Sequence, residues 1–475
     1  MEVLVVGAGP CGLVAGMTLA RYGVDVSVVE QRDGVSNLSR ALVVSTRGME
    51  LMRRFGIEEA VRAGAADVEP TALVTPTLAS SEGHVMPLGY PSDDEAAEAS
   101  PSRPSWTPQD RHEPLLLAHL RASPSARVRF GTRLVALDQD EEKISATVVD
   151  RASDNLQRVE ARYAIAADGA HSAARTALGI AMEGPDDLAV YERVEFLAAL
   201  DQAVGDRRHA LYVLERPDVD GAVLARRGRE NRWGLSRERP VGRRGMDGLT
   251  GDQLVAMIRT ATGVGDLDVT IERVTSFTFA AQMAESYRAG RGFLVGDAAH
   301  RMTPRGGTGM NTGIQDAFDL GWKLAWVLHG WAPPRLLDTY ESERRPIGVH
   351  NVGRSAEAGG ARRTTDEAMR WDLDGRLLHC WLDRDGRRVS TIDLIGDALT
   401  LFTAAEGARW ADVIGQMGFA APTDIVVTDT AAAVGLGVAP TGGVLVRPDG
   451  HEVARWSAAD AEPEPGVAWL GPGAR

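Results

Sequence analysis

The chain has 475 residues, 44% of them hydrophobic and 25% charged, with a formal charge of −14 at neutral pH. At roughly 150 residues per domain it is too long for one hydrophobic core, its balance is that of a folded globular protein, and its acidity offers nothing to phosphate backbones or anionic lipid. No stretch approaches the roughly 18 apolar residues of a membrane span. Nothing basic precedes the first apolar run as in a secretory leader, and the cysteines, Cys11 and Cys380, form neither a disulfide framework nor a metal-ligand set. These features predict a cytoplasmic protein with no nucleic-acid, membrane or metal partner. Only Lys143 and Lys323 are lysines and neither follows a glycine, which excludes a P-loop ATPase.

Val3 to Val6 is an apolar run that breaks into glycines and then into a helical stretch, Leu13 to Ala20; a second run, Val24 to Val29, ends at Glu30. Strand, glycine turn, helix and strand within about thirty residues is a βαβ unit. Residues 47 to 64 have helical spacing, with Met49, Leu51, Met52 and Phe55 before Gly56. From 70 to 105 proline, serine and acid dominate, predicting strands and loop of another layer. Gln109 to Ala122 is helical, and 127 to 167 holds three β-like runs. Alternation over 186 to 278, as in Ala210 to Leu214, predicts a mostly antiparallel sheet. A long helix follows Gly309, and after a Gly/Arg-rich linker near 358 to 364 strand and helix patterns resume, ending in the hairpin signal Arg447-Pro448-Asp449-Gly450.

Three glycine-centred sites carry the chemistry. In Gly7-Ala8-Gly9-Pro10-Cys11-Gly12, Gly7 permits the tight turn, Gly9 lets backbone approach a pyrophosphate, and Gly12 allows close strand–helix packing, while the helix start offers N–H groups to the anion. Glu30 suits the ribose hydroxyls of an adenosine, favouring NAD or FAD over NADP in this crevice; Cys11 reads as a small packing residue. Asp168-Gly169 with Ser172 and Arg175 follows a strand and enters a helix. Gly296-Asp297-Ala298-Ala299-His300 does the same, and Arg305-Gly306-Gly307-Thr308-Gly309-Met310-Asn311 leaves N–H groups unpaired at the start of the long helix.

Taken in order, these three sites resemble the fingerprints of FAD-dependent aromatic hydroxylases, the single-component (class A) flavoprotein monooxygenases. The run Arg301 to Asp316, with Gly321 to Ala325 and Tyr340 to Pro346, is similar to the phenol-hydroxylase-like branch that acts on bacterial aromatic polyketides. The implied fold class is α/β: a Rossmann-like FAD-binding domain of the p-hydroxybenzoate hydroxylase fold, an inserted antiparallel-sheet substrate domain, and a C-terminal thioredoxin-like domain. The expected boundaries are 1–72, 106–185 and 279–360 for the FAD-binding domain, 73–105 and 186–278 for the substrate domain, and 376–475 for the C-terminal domain, which lacks Cys-x-x-Cys and hence dithiol chemistry.

The resemblance further implies cofactor contacts from Gly7, Gly9, Pro10, Cys11 and Gly12, from Glu30 with Gln31 beside it, from Arg40, Gln109, Asp168, Gly296 and Asp297, and from Pro304, Gly307, Gly309, Met310 and Asn311. Pro304 and Arg305 are the candidate catalytic positions; many relatives carry an uncharged residue where Arg305 stands, and a solvent-facing arginine is the plainer reading. Tyr212 and Trp233 are candidate substrate contacts or simple sheet packing. NADPH or NADH would reduce FAD, and O2 would yield a flavin C4a-hydroperoxide that oxygenates an aromatic small molecule, in a monomer or homodimer. Baeyer–Villiger or epoxidising chemistry on the same fold, and a non-catalytic flavoprotein that sequesters an intermediate, remain open. No G-x-S-x-G elbow or H-E-x-x-H pair points to a hydrolase.

Overall fold

The computed structural model describes residues 1–38, 40–216, 221–227, 231–239, 245–404, 410–417 and 419–457, so Ser39 and the end of the expected C-terminal domain lie outside the described residues. Its central sheet has six strands. Val3–Val6 lies between Val26–Val29 and Tyr163–Ala166; Ala126–Arg129 flanks the former, Gly292–Leu294 the latter, and all five are parallel, with Arg288–Ala289 antiparallel at the edge. Val3–Val6, Val26–Val29 and Tyr163–Ala166 are buried along their whole length, which is why they read as continuous apolar runs.

Against this sheet the helices Pro10–Arg21 and Gly309–Leu328 pack closely enough that a Cβ on Gly321 would stand 2.7 Å from Thr18 Cβ. Helix Gln109–Arg121 presses Leu120 against Gly16. Residues 47 to 64 form two helices, Thr46–Arg54 and Glu58–Arg62, divided where Gly56 takes φ +74°. The run 127 to 167 also contains a three-stranded antiparallel sheet, Thr132–Gln139, Ile144–Asp150 and Leu156–Ala161, whose apolar residues join the main core.

A seven-stranded sheet runs in the order Thr270–Phe279, Ala189–Leu197, Arg232–Glu238, Gly221–Arg227, His209–Leu214, Glu69–Thr75 and His84–Pro87. It is antiparallel except where His209–Leu214 lies parallel to Glu69–Thr75. Two expectations need correction. Residues 70 to 105 include a helix, Asp93–Ala99, started by the Ser92/Glu95 capping box. The stretch 186 to 278 is not all sheet, because Gly251–Thr262 is a helix with a Thr250/Gln253 capping box and a left-handed Gly263 at its end. That helix buries Leu254 and Ile258 against Phe196, Tyr212, Trp233 and Leu235 on one face of the sheet, leaving the other face toward the rest of the molecule.

The C-terminal part orders four strands as Thr423–Thr428, Leu399–Ala404, Gly443–Val446 and Glu452–Trp456. The first two are parallel; the third is antiparallel to both its neighbours and reaches the fourth through the Pro448-Asp449-Gly450 turn. This part is ion-paired to the first helices. Arg53 meets Asp393 at 2.6 Å and Arg54 meets Asp397 at 2.9 Å, while buried Glu50 accepts from Arg47 (2.7 Å), Ser100 (2.7 Å) and Arg376 Nε (3.0 Å). Burial opposes the Glu50 charge, but Arg376 and Arg47 outweigh it and hold the carboxyl below its ordinary value of 4.5. A depressed carboxylate stabilises the fold above its unfolded pKa and loses that contribution as pH falls through the folded one. Acidification below pH 4.5 should therefore loosen the C-terminal part, read by tryptophan fluorescence. Glu50→Gln should cost about 3–5 kcal/mol at pH 7 in a denaturant melt and flatten the acid limb.

Candidate functional site

The first glycine turn behaves as its spacing demands. Gly7 has φ +107°, and a Cβ there would lie 2.3 Å from the Ala167 carbonyl oxygen; one on Gly12 would lie 1.9 Å from the Gly7 oxygen. A Cβ on Gly9 would meet nothing within 4 Å, so this glycine leaves backbone bare toward an open cleft. Pro10 opens the helix, where its missing N–H costs nothing. Glu30 accepts from the Ala8 and Arg32 amides, both at 2.9 Å, and so fixes the turn as well as ending the second strand. Gln31 is exposed beside it and its carbonyl accepts from Arg151 at 2.7 Å.

Cys11 sits where the first and third fingerprints converge. Its Sγ would be 2.7 Å from a Cβ on Gly296 and 2.5 Å from one on Gly313, and burial pushes its pKa well up, so it is a protonated packing thiol. Gly296 is left-handed at φ +60° and turns the chain into Asp297. Burial raises the Asp297 pKa against the opposing fields of His300, Arg40 and Arg301, yet the side chain keeps accessible surface and, among the described residues, has no hydrogen-bond partner. It is exposed beside the turn at Gly296, which packs on Cys11 of the first fingerprint.

Two further segments frame that cleft. The loop carrying Arg40 is held by helix Gln109–Arg121: Gln109 accepts from the Ala41 amide at 3.3 Å, and Glu113 accepts from the Ser36 amide at 3.1 Å and from the Gln109 side chain. Arg40 itself is exposed. The turn before the long helix uses left-handed Gly306 and Gly307 and is fastened by Tyr90, whose hydroxyl donates to their carbonyls at 3.2 and 3.1 Å. Asn311 accepts from the Ser45 amide at 2.9 Å and donates to Val43 (3.2 Å) and Gly307 (3.0 Å), clasping the two segments together. Pro304 is exposed, and no side chain caps the amides at the start of the helix at Gly309 and Met310. Any contact of Asn311 with a cofactor is thus left to its backbone.

Three expectations are corrected by geometry. Asp168 closes its own turn, accepting from Ser172 and from the Ala174 amide at 3.0 Å, while Arg175 reaches the Ala298 carbonyl at 3.2 Å; this motif positions the third fingerprint instead of presenting a free carboxylate. Arg305 is half-buried and engaged by the protein instead of projecting freely into solvent. It donates at 3.2 Å to the Ala356 and Glu357 carbonyls at the end of helix Thr339–Ala356, and its guanidinium lies 5.4 Å from the Phe279 ring centroid. Tyr212 and Trp233 lie in the core under helix Gly251–Thr262, their polar atoms bonded to the Arg207 and Ala198 carbonyls at 2.7 and 3.2 Å, so they pack the sheet on the face away from the cleft.

Sequence reasoning missed Glu113, although its i+4 spacing from Gln109 puts both on one helix face. It also missed a largely buried chain of ionisable side chains in which His300 Nε2 meets Asp316 at 2.6 Å, Asp316 accepts from Arg344 at 2.9 Å, and Arg344 meets Asp374 at 3.0 Å. Burial opposes the Asp316 charge, but His300 and Arg344 hold its pKa down. No local spacing joins these residues, so no sequence signal could have paired them.

A bare glycine at a helix start, an exposed unpartnered carboxylate beside the turn that packs on that helix and an uncapped second helix start fit a dinucleotide with a polyol and an anionic ring edge. The FAD binding domain family matches residues 1–355, and the aromatic-ring hydroxylase C-terminal family matches residues 373–471. The chain is 35% identical to tetracenomycin B2 monooxygenase-dioxygenase of Streptomyces olivaceus, over 98% of this chain and 96% of that one. It is 34% identical to an aklavinone 12-hydroxylase of Streptomyces purpurascens, over 97% and 96%. Among solved structures, a ternary complex of aklavinone-11 hydroxylase with FAD and aklavinone matches with TM-score 0.86 at 30% identity, over 97% and 96%. The flavin-dependent monooxygenase PieE, in complex with FAD and substrate, matches with TM-score 0.88 at 26% identity, over 99% and 97%. The chain belongs to the FAD-dependent aromatic hydroxylases and is a flavoprotein monooxygenase. Among the described residues, no helix is long and apolar enough to cross a membrane. Because Gly9 faces open space whereas Gly12 abuts backbone, Gly9→Val should fold with an unchanged melt of the apoprotein yet purify without flavin, and Gly12→Val should fail to accumulate as folded protein. Absorbance at the flavin band and thermal melting check both outcomes.

Proposed function

We propose that the protein inserts one oxygen atom of O2 into a phenolic or polycyclic aromatic, polyketide-type substrate, using FAD reduced by NADPH or NADH. The observation that carries this reading is the free face of the seven-stranded sheet. It presents Leu211 and Val213 beside Tyr90 and Trp106, and Tyr191, Phe277 and Phe279, toward the segments that hold Arg40 and Pro304. A flat apolar wall opposite a cofactor cleft suits a planar ring system. Relatives that include an aklavinone 12-hydroxylase and a tetracenomycin B2 monooxygenase-dioxygenase support the polyketide class.

When bound, FAD would supply the redox chemistry, relaying reducing equivalents from NAD(P)H to O2, whose second oxygen would leave as water. The protein holds and orients. Gly7, Gly9 and Gly12 with Pro10 would cradle the pyrophosphate, Glu30 the adenosine ribose, Asp297 and Gln109 the ribityl chain, and the amides of Gly307 to Asn311 the pyrimidine edge, where the helix start favours negative charge. Arg40 would stand near the flavin and the nicotinamide nucleotide. The segments 1–72, 106–185 and 279–360 would form one FAD-binding unit, 73–105 and 186–278 the substrate unit, and 376–475 a thioredoxin-like unit that acts by packing.

Asp297→Ala removes a hydrogen-bond partner of the cofactor and should weaken FAD binding roughly tenfold to a hundredfold, measured by flavin retention on gel filtration. The activity itself is tested by offering phenols, naphthoquinones and polycyclic aromatics with NADPH, scoring cofactor consumption, peroxide release and product mass. A gain of one oxygen is expected. NADPH consumption matched only by peroxide, or a flavin that stays oxidised anaerobically with every ligand, would overturn the reading.

A further inference from the structure

Among the described residues, Arg193 on the free face of the substrate sheet has no carboxylate at salt-bridge distance. The neighbouring strands Ala189–Leu197 and Thr270–Phe279 pair Glu195 with Arg273, Arg193 with Thr275, Tyr191 with Phe277 and Ala189 with Phe279. These residues alternate with Val194 and Phe196, which point into the helix-covered core, so all of them share the opposite face. The two ends of this row are anchored to the cofactor side. At one end Arg273 donates to the Asn37 carbonyl at 3.1 Å, in the loop that carries Arg40; at the other, Phe279 lies under Arg305 of the Pro304 turn. Six residues at about 3.3 Å each separate the anchors by roughly 20 Å, and Arg193 lies between them. It therefore looks into the gap between sheet and cofactor segments.

The described carboxylates of this face are not bound to Arg193: Glu238, which shares the face opposite Tyr191, is exposed and forms no ion pair with it. Glu195 is buried and paired with Arg273 at 2.6 Å, and Arg305 is occupied by two carbonyls. Arg193 donates Nε to Ser236 Oγ at 2.8 Å and lies with its guanidinium 5.1 Å from the centroid of Phe277. Among the described residues no carboxylate stands within 4.0 Å of it, and burial pulls its pKa down in spite of the more distant Glu195. Ser236 and the Phe277 ring hold the plane of the guanidinium, and Tyr191, stacked on Phe279 at 4.1 Å, extends the aromatic surface beside it. An enclosed cation on an aromatic wall, with no anion bound to it among the described residues, is a binding position for an anionic oxygen on a flat ring.

We propose that Arg193 is a substrate-binding residue that selects aromatic molecules bearing an anionic oxygen, a carboxylate or a phenolate, the ring lying along Phe277, Phe279 and Tyr191. The inference deepens the proposed function and rests on it. It is tested on the FAD-loaded enzyme by following the flavin absorbance change on titration with two pairs of probes: anthraquinone-2-carboxylate against its methyl ester, and alizarin against its 2-methyl ether. The wild-type protein should prefer at least one anion over its neutral partner by about tenfold or more, and the pair that shows the preference identifies the anion. Arg193→Gln should erase that preference while leaving the affinity for the neutral partner within about threefold and flavin content unchanged; Arg193→Lys should restore part of it. Equal weakening of charged and neutral probes in Arg193→Gln, or no preference in the wild type, would overturn the role of Arg193 while leaving the monooxygenase reading intact. Failure of all four probes to perturb the wild-type flavin would overturn the reading of this face as an aromatic site, and the proposal with it.

Discussion

Everything in the cofactor half of the molecule depends on three chain segments coming closer than side chains normally allow. The turn at Gly7 to Gly12, the turn at Gly296 and the first turns of the long helix at Gly313 meet around one sulfur atom, with imaginary Cβ atoms 2.5 to 2.7 Å from Cys11 Sγ. Glycine at Gly296 and Gly313 removes the atoms that would collide, and cysteine fills what remains with a small polarizable group. A larger residue at position 11 would push the third fingerprint, and Asp297 with it, away from the first.

Buried charge carries this tight centre outward to the rest of the chain. His300, Asp316, Arg344 and Asp374 form one line from the third fingerprint through two helices to the start of the C-terminal part. A second group joins Lys323 to Asp319 and Glu343, and Arg447 to Glu343 and Asp449. Although Asp319, Glu343 and Asp449 approach within 4.8 Å of one another, two cations already stand among them, so the cluster reads as an ion network. Such networks add little net stability compared with an apolar core, but they penalise any alternative packing that would leave one charge unpaired. They therefore define how the C-terminal part seats against the helices.

The cofactor half was legible because its constraints are local. A bare Gly9, a left-handed Gly7 and a terminal Glu30 follow from positions a few residues apart, and the buried parallel strands announce themselves as unbroken valine runs. What the sequence hid is what the fold assembles from a distance. Tyr212 and Trp233 looked available because alternation says which residues share a face but not which face is covered; the helix Gly251–Thr262, unread despite its capping box, decides that. Arg305 looked free because the carbonyls it caps lie some fifty residues along the chain. Asp168 looked like a ligand because a carboxylate that closes its own turn and one that faces a cofactor occur in the same motif.

The six-stranded sheet also sets a timetable. Its first strand, Val3–Val6, emerges from the ribosome long before Gly292–Leu294 and the helix after it, which complete both the sheet and the cleft. At about 5–20 residues per second the interval is roughly 15–60 s. Throughout it, the early valine strands have only part of their covering layers, and Asp297 does not yet exist. Completion of the cofactor cleft is consequently a late event, coupled to the release of most of the finished chain, and the seven-stranded sheet, whose strand Thr270–Phe279 closely precedes Gly292–Leu294, is completed at nearly the same time.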